Sequence, residues 1–427
     1  MSRRSYVAVV TAVLVAEGAL LVWNAWRFDW LAGYDAFAND LYATVVSTDL
    51  RLPSANETGV WHTPPLWFGL AGALRRLAEA VGWEQVQRPG QLLAAASGLA
   101  VCVVAFLLAR ALWPERRGLH VVALVLTAAT PALVRASAMY HPETLAAALA
   151  GGGLLVAVRG LRTRPTLATG AGAGLLLALA ALTRAWALPV LCAVALVLGI
   201  DAIGSRRWTA MLALVAVAVV VAGPWLVNQQ LAHGSALAFN RSPPAVSLLE
   251  RRPASFYLGP RMLDVFDRPV TPRFRNELVP HLYADWWGDW SLTWDTPPPP
   301  APGALLPDGV VGARVRQAAL GVVPTVLALA GLVALALLAV SRRSLALGLL
   351  PLSAGALAVA YLLFAVRFPS TDGDTIKATY LLALLPCATV GAAFVVDTAR
   401  PQGRPWTIAV AAGLAILVAA QLPFLVL

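Results

Sequence analysis

The residues of this chain that could do chemistry are charged groups at the ends of long apolar runs. Asp35 lies about eight residues beyond the first run, in the stretch GYDAFANDLYATVVSTDLRLP, where a carboxylate among apolar and aromatic neighbours could act as a general base. It equally suits a solvated loop aspartate or the N-cap of an amphipathic helix running to about Val46. The turn Tyr140-His141-Pro142-Glu143 puts an imidazole and a carboxylate at the ends of two consecutive apolar runs, a depth at which ionisable groups usually serve function. Glu143 also fits as a first-turn acid favoured by the helix dipole. Arg135 and Arg184 lie just inside their runs, and each needs an anion there, a carboxylate or a phosphate. Lys377 is the single lysine among 32 basic residues, and it opens a late apolar run in TDGDTIKATYLLALLPC, behind Asp372 and Asp374. It could bind a phosphate or simply snorkel beside the two aspartates. His62, in His62-Thr63-Pro64-Pro65, could bond a phosphate or a carboxylate. Trp286, Trp287, Trp290 and Trp294 surround Asp289 ahead of Pro297 to Pro300, which cannot be helical. The tryptophans suit an interfacial belt or, more sharply, sugar stacking, with Trp286, Trp287 and Asp289 as the sugar-binding candidates. If a metal is involved, Asp35 and Glu143 are its ligands, since oxygen donors suit magnesium or manganese.

The elements that must position these groups are membrane spans. Of 427 residues 59% are hydrophobic and only 13% charged, with mean hydropathy +0.72, too apolar for a water-facing surface. The net charge of +10 sits in short clusters between apolar runs, so it reads as a topology signal and not as a nucleic-acid site. Runs of about 20 apolar residues fall near 6–26, 91–112, 119–139, 143–160, 166–183, 185–203, 208–228, 317–340, 344–366, 377–396 and 406–427, giving about eleven spans. The first follows Arg3 and Arg4 and lacks a small-residue cleavage site, so it is expected to stay as a signal-anchor helix. Leu66 to Val81 acquires Arg75, Arg76 and Glu79 and is expected to lie in the interface.

With seven spans before the loop 229–316, the arginine clusters at 116–117, 159–164, 206–207 and 342–343 all fall on one side, which the positive-inside rule makes cytoplasmic. The N-terminus is then cytoplasmic, the C-terminus exterior, and the segments 27–90, 229–316 and 367–376 form the exterior working face. The organisation is an N-terminal module 1–228 including the loop 27–90, the long loop 229–316 and a C-terminal module 317–427. Cys102, Cys192 and Cys387 sit within apolar runs without CxxC or Cys/His spacing, so neither disulfide nor zinc is expected. Internal repeats and interrupted helices, which a transporter would favour, are not visible.

The order of these features resembles the membrane glycosyltransferases of the GT-C superfamily, in the bacterial branch akin to protein O-mannosyltransferases and the aminoarabinose transferases of lipid A. The resemblance rests on DAFAND after the first span, HTPPLWF before the interfacial helix, HPE and LTRAW at span mouths, GPWLVNQ entering a loop with YADWWGDW, and KATYLLALLP late in the chain. It implies an all-helical bacterial plasma-membrane enzyme that takes a sugar from a polyprenyl-phosphate donor in the lipid to an exterior hydroxyl on a cell-envelope glycan, lipid or protein, with inversion. By that resemblance Asp35 matches the catalytic aspartate and Glu143 a second exterior acid. Lys377 and Arg184 match basic positions near the donor phosphate, with His62 and Arg135 beside them and His141 on the acceptor side. The chain departs from the family by having Ala36 where a second acid usually follows, and His62-Thr63 where a lysine or acid usually precedes the proline. Two readings of other classes stay open: a lipid or solute transporter, and a non-catalytic polyprenyl-lipid-binding relative.

Overall fold

In lipid the backbone has no hydrogen-bonding partner but itself, so long apolar runs fold as helices. The computed structural model describes residues 2–240, 252–270, 277–292, 294, 308–368, 376–399 and 404–427, and all regular structure among them is helical. Pro297 to Pro300, Asp372 and Asp374 lie outside the described residues. The helices are α1 (Arg3–Arg27), α2 (Ala36–Asp49), α3 (Leu66–Ala80), α4 (Arg88–Leu112), α5 (Arg117–Ala128), α6 (Pro131–Ala138), α7 (Glu143–Thr163) and α8 (Leu167–Thr183). They continue with α9 (Leu188–Ser205), α10 (Thr209–His233), α11 (Ala254–Leu258), α12 (Leu278–Trp287), α13 (Asp308–Ser341), α14 (Leu345–Arg367), α15 (Leu385–Thr398) and α16 (Arg404–Leu425).

Among the described residues nine helices are long and apolar enough to cross a membrane, and the bent pair α5–α6 makes a tenth. The 17-residue α8 is apolar but about 25 Å long, short of a hydrocarbon core of ~30 Å. Leu329, Val333 and Leu337 of α13 are more than half exposed, an outward apolar stripe that only lipid can cover. The chain is a multi-pass membrane protein. Helices in lipid associate by close packing at small residues. A Cβ on Gly170 or Gly174 of α8 would strike the backbone of Ala210 or Leu214 in α10, and Gly331 of α13 crosses Gly391 of α15 just as closely.

Three features depart from a simple series of spans. The run 119–139 is not one helix: it breaks at Ala129–Thr130 and bends by 55°. Pro131 has no N–H to give to the preceding turn and begins a new helix instead. The tenth run starts as a 3-10 helix, Ala378–Leu384, before becoming α15. Helix α13 begins at Asp308, well before the expected edge near 317, because its first turns carry buried Arg314 and Gln317.

The segment between α1 and α4 is built as a unit. Leu66–Ala80 forms the expected amphipathic helix, burying Trp67, Phe68, Ala71 and Gly72. Phe68 stacks on Tyr42 of α2 at 4.0 Å, and the Tyr42 hydroxyl donates to the Thr63 carbonyl at 2.9 Å, which pins the His62–Thr63 turn. Orphan carbonyls at two helix ends are satisfied from α4: Arg88 donates to Ala25 and Phe28 and Gln91 to Phe28 at the end of α1, and Gln91 also donates to Ala138 at the end of α6.

Candidate active site

Four of the residues expected to act together converge where the starts of α2 and α7, the end of α8 and the 3-10 start of α15 meet. Asp35 stands at the N-cap position of α2 but makes no capping hydrogen bond. Its φ of 53° and ψ of 16° lie in the left-handed region, which an aspartate tolerates better than most residues and which still costs about a kilocalorie or more. The side chain turns instead to Lys377, whose Nζ is 2.8 Å from Asp35 Oδ2 and lies over the rings of Tyr34 and Tyr380. Asp35 keeps 35% of its side chain exposed, whereas Lys377 is buried. Burial works to raise the Asp35 pKa, yet Lys377, with Arg184 behind it, outweighs this and holds it down at about 2. Burial likewise acts against the Lys377 charge, and Tyr380 and Asp35 raise its pKa all the same.

Beneath this pair lies a second. Arg184 Nε is 2.8 Å from Glu143 Oε1, and its Nη2 is 3.3 Å from His141 Nε2, both partners buried. Arg184 is presented by the C-cap of α8 and Glu143 by the first turn of α7, so two helix ends set the pair. Burial, then Arg184, pushes the His141 pKa well down, and the same causes bring His62 to about 3. Both rings are neutral at physiological pH, and each leaves a buried Nδ1 without a partner among the described residues.

A cavity of about 480 Å3 is lined by Arg184 and His62 and walled by Trp186, Phe239, Phe364, Phe368 and Tyr380. The sequence reading missed this aromatic wall because its members come from four separate segments.

The remaining expected residues go elsewhere. Arg135 is not open to a phosphate: α6 buries it 3.2 Å from Asp289 Oδ1 and 3.7 Å from Asp285 Oδ1, where it also donates to the Asp285 carbonyl. Asp289 is fully buried, accepting the Trp294 N–H at 2.7 Å as well, so it faces no sugar. Trp287 packs on Gly321 of α13 and donates to Thr325 Oγ1 at 2.8 Å, and Trp286 packs against the main core. Trp290 stacks on His281 at 3.6 Å and Trp294 on Phe28 at 5.3 Å. These tryptophans fasten the long loop to the bundle, where small residues leave room for flat rings.

As for a metal, Asp35 and Glu143 are each taken by a cation at 2.8 Å, and the described residues contain no group of three His, Cys, Asp or Glu side chains able to hold one.

The helix pair α2–α3 after the first apolar helix, the charged residues at its edge and the apolar helices behind it form an arrangement that recurs in solved structures. The fold is shared with the oligosaccharyltransferase of Archaeoglobus fulgidus in its apo form, at TM-score 0.52 and 17% identity over 97% of this chain. The archaeal oligosaccharyltransferase AglB from Archaeoglobus fulgidus, in complex with an inhibitory peptide and a dolichol-phosphate, matches with TM-score 0.52 and 16% identity over 97% of this chain. The chain spans 55% of the length of each of these chains. ArnT from Cupriavidus metallidurans in the apo state matches at TM-score 0.42 and 16% identity, over 89% of this chain and 77% of that one. No protein-family model and no curated protein matches the chain in sequence.

Proposed function

We propose that this protein is a membrane glycosyltransferase that moves a sugar from a polyprenyl-phosphate donor to an acceptor hydroxyl on the exterior side of a bacterial plasma membrane, where a cell-envelope glycan, lipid or protein supplies the hydroxyl. The observation that carries the reading is one juxtaposition: a strained, partly exposed carboxylate paired with the sole lysine, beside an aromatic cavity lined by Arg184 at one wall. An apolar chain suits that cavity, and a phosphate suits its cationic end. The fold relative bound to dolichol-phosphate and a peptide supports a lipid-phosphate donor and a separate acceptor.

The donor phosphate competes with Asp35 for Lys377. As Lys377 swings to the phosphate, Asp35 loses the cation that holds its pKa down and becomes a stronger base. The acceptor oxygen then bonds to the anomeric carbon as the bond from that carbon to the phosphate oxygen breaks, with inversion. The acceptor proton passes to Asp35, and the electron pair leaves on the polyprenyl phosphate, where Lys377 and Arg184 meet the growing charge. Glu143 and neutral His141 hold the Arg184 guanidinium in place, and His62 offers the phosphate or sugar one neutral hydrogen bond. The cationic partners of both carboxylates favour turnover without a divalent ion.

The test is mass spectrometry of envelope glycans and polyprenyl-phosphate sugars in a deletion strain. The expected result is loss of one sugar from an envelope component together with accumulation of its polyprenyl-phosphate donor. An unchanged glycan profile with unchanged donor pools would overturn the reading.

A further inference from the structure

Neither member of the Asp35–Lys377 pair lies inside a helix, since Asp35 is the N-cap residue of α2 and Lys377 that of the 3-10 helix. What fixes their separation is a third carboxylate in the long loop. Asp285 Oδ1 accepts from the Tyr34 hydroxyl at 2.8 Å, and Tyr34 immediately precedes Asp35. Asp285 Oδ2 accepts the backbone N–H of Ala378 at 2.7 Å, and Ala378 immediately follows Lys377. Each oxygen of one carboxylate therefore grips a neighbour of one member of the pair.

We infer that Asp285 is a positioning residue that sets the Asp35–Lys377 ion pair through Tyr34 and the Ala378 amide, without touching substrate. At 1% exposure it has no open surface to offer. Arg135 on α6, shared with Asp289 of the loop, holds it from behind, so the charged and titratable groups facing it are Arg135, Asp289 and Tyr34. Those facing Lys377 are Asp35, Tyr34, Tyr380 and Arg184. The inference deepens the proposed reaction by naming what holds its base and its cation in register, but the geometry is there whether or not a sugar is transferred.

The sole lysine supplies a test that needs no turnover. Trace acylation of the purified full chain, in amine-free lipid nanodiscs across a pH series, reports the reactivity of Lys377 by mass spectrometry of its peptide. With the pair intact Lys377 is protonated and slow. In Asp285→Asn, which loses the charge and one acceptor, labelling at fixed pH should rise about tenfold for each unit by which the amine pKa falls. Tyr34→Phe, which cuts one arm only, should give a smaller rise, and Asp35→Asn sets the ceiling for an unpaired Lys377. Asp285→Asn and Tyr34→Phe keep the test alive if Asp285→Ala does not fold. A folded Asp285→Asn that labels at the wild-type rate, whatever its thermal midpoint, overturns the positioning role. Because labelling uses no donor, a failed glycosyltransfer assay leaves this result standing, and the reverse is equally true.

Discussion

Two charge clusters meet at adjacent residues and differ in kind. Asp35 and Lys377 form a partly exposed pair on a strained turn, with nothing between them that a phosphate could not displace. One residue away on each strand of chain, Tyr34 and Ala378 join the Asp285–Arg135–Asp289 cluster, which is buried throughout and hydrogen-bonded at every carboxylate. Breaking a buried ion cluster leaves an uncompensated charge, so the second cluster is built to stay as it is and the first to open. The difference separates a part that reacts from a part that holds it.

Substituting each side in turn should break the comparison in different ways. Asp35→Asn removes the proposed base, and turnover of a polyprenyl-phosphate sugar by the purified protein should fall by about 10²-fold or more while insertion and folding persist. Near-wild-type turnover would refute the assignment. Arg135→Ala strands Asp285 and Asp289, at a cost of about 3–5 kcal/mol, read as a lowered thermal midpoint and poor yield even without substrate.

Lys377→Met should raise donor KM more than acceptor KM, and pH sharpens the point. The Asp35 pKa, at about 2, is depressed below the ordinary 3.8, so the pair stabilises the fold fully above the ordinary value and is lost as pH falls through about 2. With donor bound, Lys377 is drawn away and the carboxyl pKa rises. The acid limb of kcat should thus lie at higher pH than that of kcat/KM, and Lys377→Met should bring the two together. His62→Gln, removing a neutral ring that offers one hydrogen bond, should cost about tenfold or less in kcat/KM. Chelation by EDTA should change turnover least, and a restored dependence on magnesium or manganese would show that the carboxylates release their cations to a metal.

The helical membrane class and the amphipathic helix 66–80 were legible in the chain, as were Glu143, Arg184 and Lys377 at the ends of apolar runs, whereas Asp35 joined them only through the order of motifs. Asp285 was not, since one of its partners is a backbone amide and another a tyrosine 251 residues away. The tryptophans misled for a related reason: indole composition is the same in a sugar platform and in a packing wedge, and only Gly321 opposite Trp287 decides which. Arg135 needed an anion, as its depth implied, but carboxylates from the long loop supply it. The break before Pro131 carried a visible signal, the proline itself, hidden by an apolar run long enough to cross without it.

That break has a consequence for how the protein can change over generations. The eight-residue α6 is held by packing on α4 and α1 and by the bonds of Arg135 to the loop, and not by continuity with α5. Mutations that drift the lipid-facing length of α5 to suit membranes of different thickness can accumulate without transmitting a rotation to Arg135. The transmembrane body and the reacting end are thereby free to evolve at separate rates.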